Sequence, residues 1–337
     1  PKSYGHWEDL IADPDIDVVD IATPTQLHKS IALAAIAAGK HVIVDKPMAL
    51  TSEEAAQMLA AAEAAGVVHA ITFNIRYNAM VQHARSMIQD GSLGQVRFIQ
   101  GHYLQEWLLK ETDFNWRIQP EHGGALAMVA DAGAHWYDMA QHITGQKIVR
   151  VLADLASFIP TRQQPTKNRE AFASAGNDET NDFNVKVPDL GTMMCQFENG
   201  ARGLFSTSAL CPGHKNDLTI EVCGSEASLR WQQERPNELW IGHRDQPNQI
   251  LLKDPPLLHP SIAHYAQLPG GHNEAWPDAF RNLMKNILTF IAHRKQPSEA
   301  DEITFPTFHT GLNISRIVDA IAKSAHAGGT WVEVDRN

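Results

Sequence analysis

Lys46, Asp131 and His135 are the side chains of this 337-residue chain best suited by type and spacing to moving a proton. Lys46 sits in Asp45-Lys46-Pro47, directly after the β-branched run Val42-Ile43-Val44. A lysine at a strand's carboxyl end, in a partly dry cleft, can donate to a substrate hydroxyl and favour its alkoxide. Pro47 fixes its own φ and biases Lys46 towards an extended backbone, which aims the lysine as the strand ends. Asp131 and His135 lie four apart in a helical pattern and so share a face. An imidazole can take a proton near neutrality, and a nearby carboxylate would stabilise the imidazolium. Gly133 between them weakens the helix, so a close neighbour is expected there. Each piece has a plainer explanation: a surface turn at Asp45-Lys46-Pro47, and a helical ion pair with a partly buried histidine. Asp138 continues the same face, which opens a divalent-metal reading. No second His/Glu cluster at ligand spacing supports that reading, and no metal is assigned.

Three loops add polar and aromatic groups. Thr23-Pro24-Thr25-Gln26-Leu27-His28 lies between a strand and a helix N-terminus, where backbone amides favour polar or anionic ligands; a simple Thr/Pro helix start explains it equally well. Asn115-Trp116-Arg117 and Gly270-Gly271-His272-Asn273-Glu274-Ala275-Trp276 suit sugar recognition, with rings against apolar sugar faces and polar groups on hydroxyls. Exposed rim loops are the alternative.

The elements that must position these residues alternate at first between strand and helix. Residues 17–22 read as a buried strand, 28–38 as a helix stopped by Gly39, and 41–45 as a strand. Thr51-x-x-Glu54 is a capping box opening a helix that Gly66 ends, and 67–73 is a further strand. Short links make these strands parallel, so this is a doubly wound α/β domain or the remaining part of one. Beyond Gly94 the pattern changes to a strand over 96–103, a loop over 104–119 and a helix over 124–144. Short strands over 149–253 follow, with hairpin signals at Asn199-Gly200 and Gly224-Ser225. They predict a mainly antiparallel sheet in an α+β domain. Residues 162–181 read as a loop excursion, and helices over 277–293 and 308–327 close the chain. One face of the sheet is expected to be apolar and to find a partner.

Bulk properties narrow the classes. The chain is 43% hydrophobic and 20% charged, with a formal net charge of -11 that disfavours nucleic acid as a partner. No apolar run approaches the roughly 18 residues that span a bilayer, and no signal peptide opens the chain. Three cysteines without metal-like spacing fit reduced thiols, so a cytoplasmic location is expected.

In their order, Ala22-Thr23-Pro24-x-x-Leu27-His28, Gly39-Lys40-His41-Val42, Asp45-Lys46-Pro47, Gly123-Gly124-Ala125 and Asp131-x-Gly133-x-His135 span nearly the whole chain. Together they resemble the Gfo/Idh/MocA oxidoreductases, the relatives of glucose-fructose oxidoreductase and inositol dehydrogenase. The resemblance implies an NAD- or NADP-dependent dehydrogenase acting on a hydroxyl of a sugar, inositol or related polyol. It implies that Lys46 contacts cofactor and substrate, that Asp131 and His135 form the paired acid and histidine, and that His135 accepts the proton. Ala22, Thr23, Pro24, His28, Asp45 and Asn74 would join Lys46 along the cofactor. Trp116, Arg117 and His272 would join Lys46, Asp131 and His135 around the substrate. The family usually has Glu where Asp45 stands, which shortens the reach of that carboxylate.

The family also opens with a strand and a G-x-G-x-x-G turn, and these 337 residues contain no such turn. Residues 4–10 resemble the segment after the first two strands, so the first βαβ unit is expected upstream of Pro1. Residues 1–94 are then the remainder of a dinucleotide-binding Rossmann domain. Residues 95–337 form an α+β substrate-binding and oligomerisation domain, assembled as a homodimer or homotetramer. A non-catalytic sugar or dinucleotide sensor on the same scaffold is the rival reading, and a metal-dependent hydrolase or isomerase is a third.

Overall fold

The computed structural model describes residues 2–166, 179–293 and 304–336. The first part runs α1 (Trp7–Ala12), β1 (Val18–Ile21), α2 (His28–Ala37), β2 (His41–Val44), α3 (Ser52–Ala65) and β3 (His69–Ile71). The three strands pair in parallel in the order β1-β2-β3. Local chemistry explains the boundaries. Gly39 and Gly66 take positive φ, 73° and 63°, at the two helix stops. Thr51 Oγ1 accepts the Glu54 N–H at 3.2 Å, while the Glu54 carboxylate reaches back one residue further than a capping box requires, to the Leu50 N–H at 3.2 Å.

Both faces of the central strand β2 are covered, so Val42, Ile43 and Val44 are all buried, whereas β1 leaves Asp20 exposed. Val42 and Val44 join a core with Ile31 and Ala35 of α2 and Met58 and Ala62 of α3. Ile43 points the other way, into a second cluster with Ala279, Leu283 and Ile287. Those residues belong to α7 (Trp276–Ala292). The last helix, α8 (Phe308–His326), returns to the same part of the molecule: its first N–H, at Phe308, donates to His69 Nδ1 at 3.0 Å.

Between them come α4 (Ala79–Gln89), β4 (Phe98–Leu104), α5 (Pro120–Gly123), α6 (Met128–Thr144), β5 (Ile148–Ala156), β6 (Thr161–Pro165), β7 (Thr180–Asn184), β8 (Leu190–Phe197), β9 (Arg202–Ser208), β10 (Asp217–Cys223), β11 (Ser228–Gln232), β12 (Glu238–Gly242) and β13 (Gln249–Leu252). With β14 (Val332–Glu333) the strands other than β6 and β7 build a nine-stranded sheet in the order β13-β12-β11-β10-β4-β9-β8-β5-β14. The β4–β9 pair is parallel and its neighbours are antiparallel, so the sheet is mixed. The Asn199-Gly200 and Gly224-Ser225 turns fall where the sequence places them, in β8–β9 and β10–β11.

Helix α6 lies against the inner face of this sheet, with Trp136 stacked on Phe205 at 4.6 Å between centroids. The approach is close at Gly101: a Cβ there would stand 2.5 Å from Trp136 Nε1 and 2.0 Å from the Thr219 carbonyl.

Three expectations need correction. α6 starts at Met128, not near 124, because Gly124 and Ala127 take φ of 86° and 43° and interrupt the helical path. The excursion at 162–181 begins and ends as the paired strands β6 and β7, while residues 167–178 lie outside the described residues. The outer sheet face is only partly apolar: the cross-strand row Leu152, Met194, Leu204, Gln100, Glu221, Arg230, Trp240 and Ile250 has apolar ends and a polar middle. Among the described residues, no helix is long and apolar enough to cross a membrane.

Candidate active site

The carboxyl ends of β2 and β3 open into a cleft of about 430 Å³ whose far wall comes from the mixed sheet, α6 and α7. That size is typical of small-molecule sites, and the strand ends are where open α/β sheets bind ligands. β2 delivers Lys46 through a cis Lys46–Pro47 peptide. The first turn of α6 delivers Asp131, whose N–H donates to the Ala127 carbonyl at 2.8 Å. The two groups meet across the sequence. Lys46 Nζ donates to Asp131 Oδ1 at 2.9 Å and to the Asp131 carbonyl at 3.2 Å. Arg117 Nε stands 3.3 Å from the same Oδ1, with its guanidinium over the Trp116 ring at 4.3 Å.

One turn on, His135 is buried between Phe73 and Tyr103, each ring centroid 6.1 Å from its own. Neither of its ring nitrogens is hydrogen-bonded to a described residue. Burial, seconded by the charge of Lys46, holds the imidazole well below its ordinary 6.5, and Asp131 opposes them only in part. His135 is therefore neutral near pH 7 and free to accept a proton. Burial alone would raise the Asp131 carboxyl, but Lys46 and Arg117 outweigh it and hold the group well below the carboxylate range. The close neighbour at Gly133 is the Tyr137 ring of the same helix: a Cβ would stand 2.9 Å from its hydroxyl.

The rest of the Asp131 face does other work. Asp138 is buried in an ion pair with Arg76, Nε to Oδ2 at 2.8 Å. Among the described residues no three His, Cys, Asp or Glu side chains converge as metal ligands.

The residues expected along the cofactor fall into two groups. Asn74 lines the cleft, and its Nδ2 is buried without a hydrogen-bond partner; Thr23 Oγ1, after β1, is equally buried and unpartnered. These orphaned groups flank Lys46 on adjoining strand ends, and they fit the polar edge of a nicotinamide dinucleotide. Ala22 is exposed and Pro24 half-buried beside them. Asp45 lines the cleft too, but its carboxylate accepts the Thr72 hydroxyl, which ties it to the end of β3. His28 does not reach the cleft. It is buried, with Nδ1 3.0 Å from the Pro47 carbonyl and Nε2 2.9 Å from the Thr23 carbonyl, so it braces the loop after β1 against the turn that carries Lys46.

Among the expected substrate residues, Arg117 lines the cleft and Trp116 supports it from behind. His272 is exposed on the Gly270-Gly271 turn, 3.4 Å from the Gly270 carbonyl, and is not part of the cleft. Trp276 and Phe280 of α7 stand there instead, stacked at 5.4 Å between centroids. The sheet contributes groups that the sequence reading missed. Asn216 Oδ1 accepts both the Tyr103 hydroxyl, at 2.6 Å, and Gln105 Nε2, at 3.0 Å. Gln105 Oε1 in turn accepts Trp107 Nε1 at 2.9 Å. Only the Asp217–Leu104 register of β10 on β4 brings Asn216 to this place.

Parallel strand ends carrying lysine, facing a helix that carries aspartate and histidine, define a Rossmann-like NAD-binding domain joined to a C-terminal mixed-sheet domain. Comparison with known proteins agrees. The family model "Oxidoreductase family, NAD-binding Rossmann fold" matches residues 2–73, and "GFO/IDH/MocA C-terminal domain" matches residues 81–230. The chain belongs to the GFO/IDH/MocA oxidoreductase family. It is 34% identical over 338 residues to a levoglucosan dehydrogenase of Pseudarthrobacter phenanthrenivorans, covering 99% of this chain and 84% of the relative. A solved levoglucosan dehydrogenase in complex with NADH and levoglucosan superposes with a TM-score of 0.86 at 30% identity, over 99% of this chain and 84% of the other. An inositol dehydrogenase homologue from Azotobacter vinelandii, complexed with NADH and myo-inositol, gives 0.84 at 28% identity, over 97% and 80%.

Proposed function

We propose that this protein is an NAD-dependent dehydrogenase that oxidises a secondary hydroxyl of a cyclic sugar or polyol. The observation that carries the reading is the 2.9 Å contact of Lys46 Nζ with Asp131 Oδ1 in the same cleft as a neutral, unpartnered His135. A bound nicotinamide cofactor supplies the redox chemistry, accepting the electron pair and hydrogen that leave the hydroxyl-bearing carbon. The protein's own groups handle the proton and the orientation. His135 takes the hydroxyl proton. Lys46 donates to the same oxygen and stabilises the negative charge that grows there as the proton leaves. Asp131 holds Lys46 in place and offsets its charge, so that His135 can become imidazolium beside it. Thr23 and Asn74 would hold the cofactor, with Ala22, Pro24 and Asp45 shaping its seat. The relatives solved with NADH favour NAD over NADP, and their levoglucosan and myo-inositol point to a ring substrate.

The test is NADH formation by the purified protein over a panel of sugars and cyclitols, repeated with His135→Ala. The variant is expected to lose about 10²- to 10⁴-fold in kcat, the usual share of a general base. Its affinity for NADH, read by fluorescence, is expected to hold. Undiminished turnover in the variant excludes His135 as the base. NADH binding with no turnover of any polyol favours the sensor instead.

A further inference from the structure

A second cavity, of about 130 Å³, adjoins the cleft, and Asn216 and Trp276 line both. Its other walls set apolar Ile75, Trp231, Pro236 and Ala279 beside polar Asn78, Gln233 and Glu234. The walls are set rather than loose. Trp231 is buried, and its Nε1 donates to the Pro236 carbonyl at 3.2 Å. Glu234 Oε1 accepts the N–H groups of Lys215 and Asn216, both at 2.9 Å, and fixes the segment that carries Asn216.

Two amides give the cavity a polar code. Gln233 Nε2 donates to the Asn216 carbonyl at 3.2 Å, and flipping the amide would set two acceptors against each other. Gln233 Oε1 is therefore fixed as an acceptor, and it is buried without a partner. Asn216 is oriented the same way, because its Oδ1 already accepts from Tyr103 and Gln105. Its amide N–H groups are left for whatever passes between the two spaces. Apolar walls, a stacked Trp276 and Phe280 at the border, and the polar groups of Asn78, Asn216, Gln233 and Glu234 match a ring with an apolar face and hydroxyls on its edge.

We propose that the natural substrate is a glycoside, whose second sugar ring occupies this cavity while the oxidised ring lies against Lys46 and His135. Asn216 then donates near the glycosidic link, and Gln233 Oε1 accepts a hydroxyl of the second ring after a small side-chain adjustment. This inference rests on the proposed oxidation in the main cleft and adds the size and shape of its substrate.

The experiment compares kcat/KM with NAD+ for D-glucose, D-galactose and myo-inositol with that for maltose, cellobiose and lactose. At least one disaccharide is expected to exceed every single-ring compound by tenfold or more. Ala275→Leu, which puts a branched side chain into the cavity wall, is expected to cut that ratio by tenfold or more. Turnover confined to single-ring compounds overturns the glycoside proposal and leaves the dehydrogenase reading standing. A disaccharide preference that Ala275→Leu leaves intact, in a variant that still binds NADH, overturns the assignment of this cavity. No NAD+-dependent turnover of any of the compounds overturns both readings together.

Discussion

Asp131→Asn is the substitution whose consequences are most fully determined by the geometry. It keeps the shape of the side chain and removes the negative charge set between Lys46 Nζ, at 2.9 Å, and Arg117 Nε, at 3.3 Å. Both cations stay in the cleft wall without their counter-charge. A hydrogen bond to a charged group is worth about 1.5–3 kcal/mol. The amide oxygen and the backbone carbonyl still accept from Lys46, so what is lost is the charge assistance, about half of that energy, and kcat/KM falls by about 3- to 13-fold. The pH profile carries the sharper information. In the unaltered protein His135 is held well below 6.5, by burial first and Lys46 second, while Asp131 pulls the other way. The acid limb of kcat/KM therefore lies below pH 6.5, and the rate is flat across neutrality. Removing Asp131 removes the one influence that raises the imidazole, so the limb moves to still lower pH even as the plateau drops. A merely structural defect would lower the plateau without moving the limb. Initial rates of NADH formation against pH, with a thermal melt to check folding, decide the matter. A limb that moves to higher pH, or a plateau equal to that of the unaltered protein, refutes the reasoning.

Other expectations concern stability. His69 Nδ1 accepts the Phe308 N–H, and burial, with nearby His309 adding to it, lowers its pKa to about 4. The unfolded chain, at the ordinary 6.5, then binds the proton first, so stability falls by about 3 kcal/mol between pH 6.5 and about 4; His69→Gln should flatten that slope in urea titrations. Arg162 is fully buried, donating to Asp189 at 3.2 Å and to the carbonyls of Lys110 and Asp113 at 2.8 and 3.2 Å. Arg162→Met should cost about 3–5 kcal/mol in urea unfolding and raise the substrate KM, because the same loop carries Trp107 and Arg117. Gly101→Ala sets a methyl against the Thr219 carbonyl and Trp136, and should lower stability by about 3 kcal/mol or more in a thermal melt. A Gly101→Ala protein that melts like the unaltered one would mean that α6 does not lie this close to β4.

What the sequence makes legible depends on how local the cause is. The strands and helices up to Phe73 are readable because caps, glycine stops and buried β-branched runs all act within a few residues. The start of α6 is not readable that way: residues 124–127 look helical, and the positive φ at Gly124 and Ala127 is imposed by the loop around them. Strands β6 and β7 hide for a related reason. Most of their pairs, such as Gln163 with Asp182, are polar, and the pair that faces inward sets the buried Arg162 beside Phe183, which packs on Phe114. Lys46, Asp131 and His135 could be named because their order and spacing resemble a family. Asn216, Trp107 and Phe280 could not, since each lies in an unremarkable stretch and only strand register and helix packing carry it to the cleft. His272 shows the converse. It sits in a segment rich in suitable residues, but the turn at Gly270-Gly271 faces it outward while Trp276, four residues on, begins the helix that faces in.

That helix is where the two parts of the molecule become one device. Lys46 follows Ile43 by three residues, and strand alternation sends Ile43 to the face opposite Val42 and Val44. The face it takes is the one α7 covers with Ala279, Leu283 and Ile287. Those contacts fix α7 along its length, and its first turn then has no choice but to hold Trp276 and Phe280 in the cleft that Lys46 enters. A slip of one residue in β2 would exchange its faces, and it would dislodge α7 and redirect the lysine together. The same packing therefore sets the aim of the proposed proton-handling groups and the position of the cleft's aromatic wall. A substitution at Leu283, buried and far from any substrate, should accordingly act on KM through Trp276 as well as on stability through Ile43.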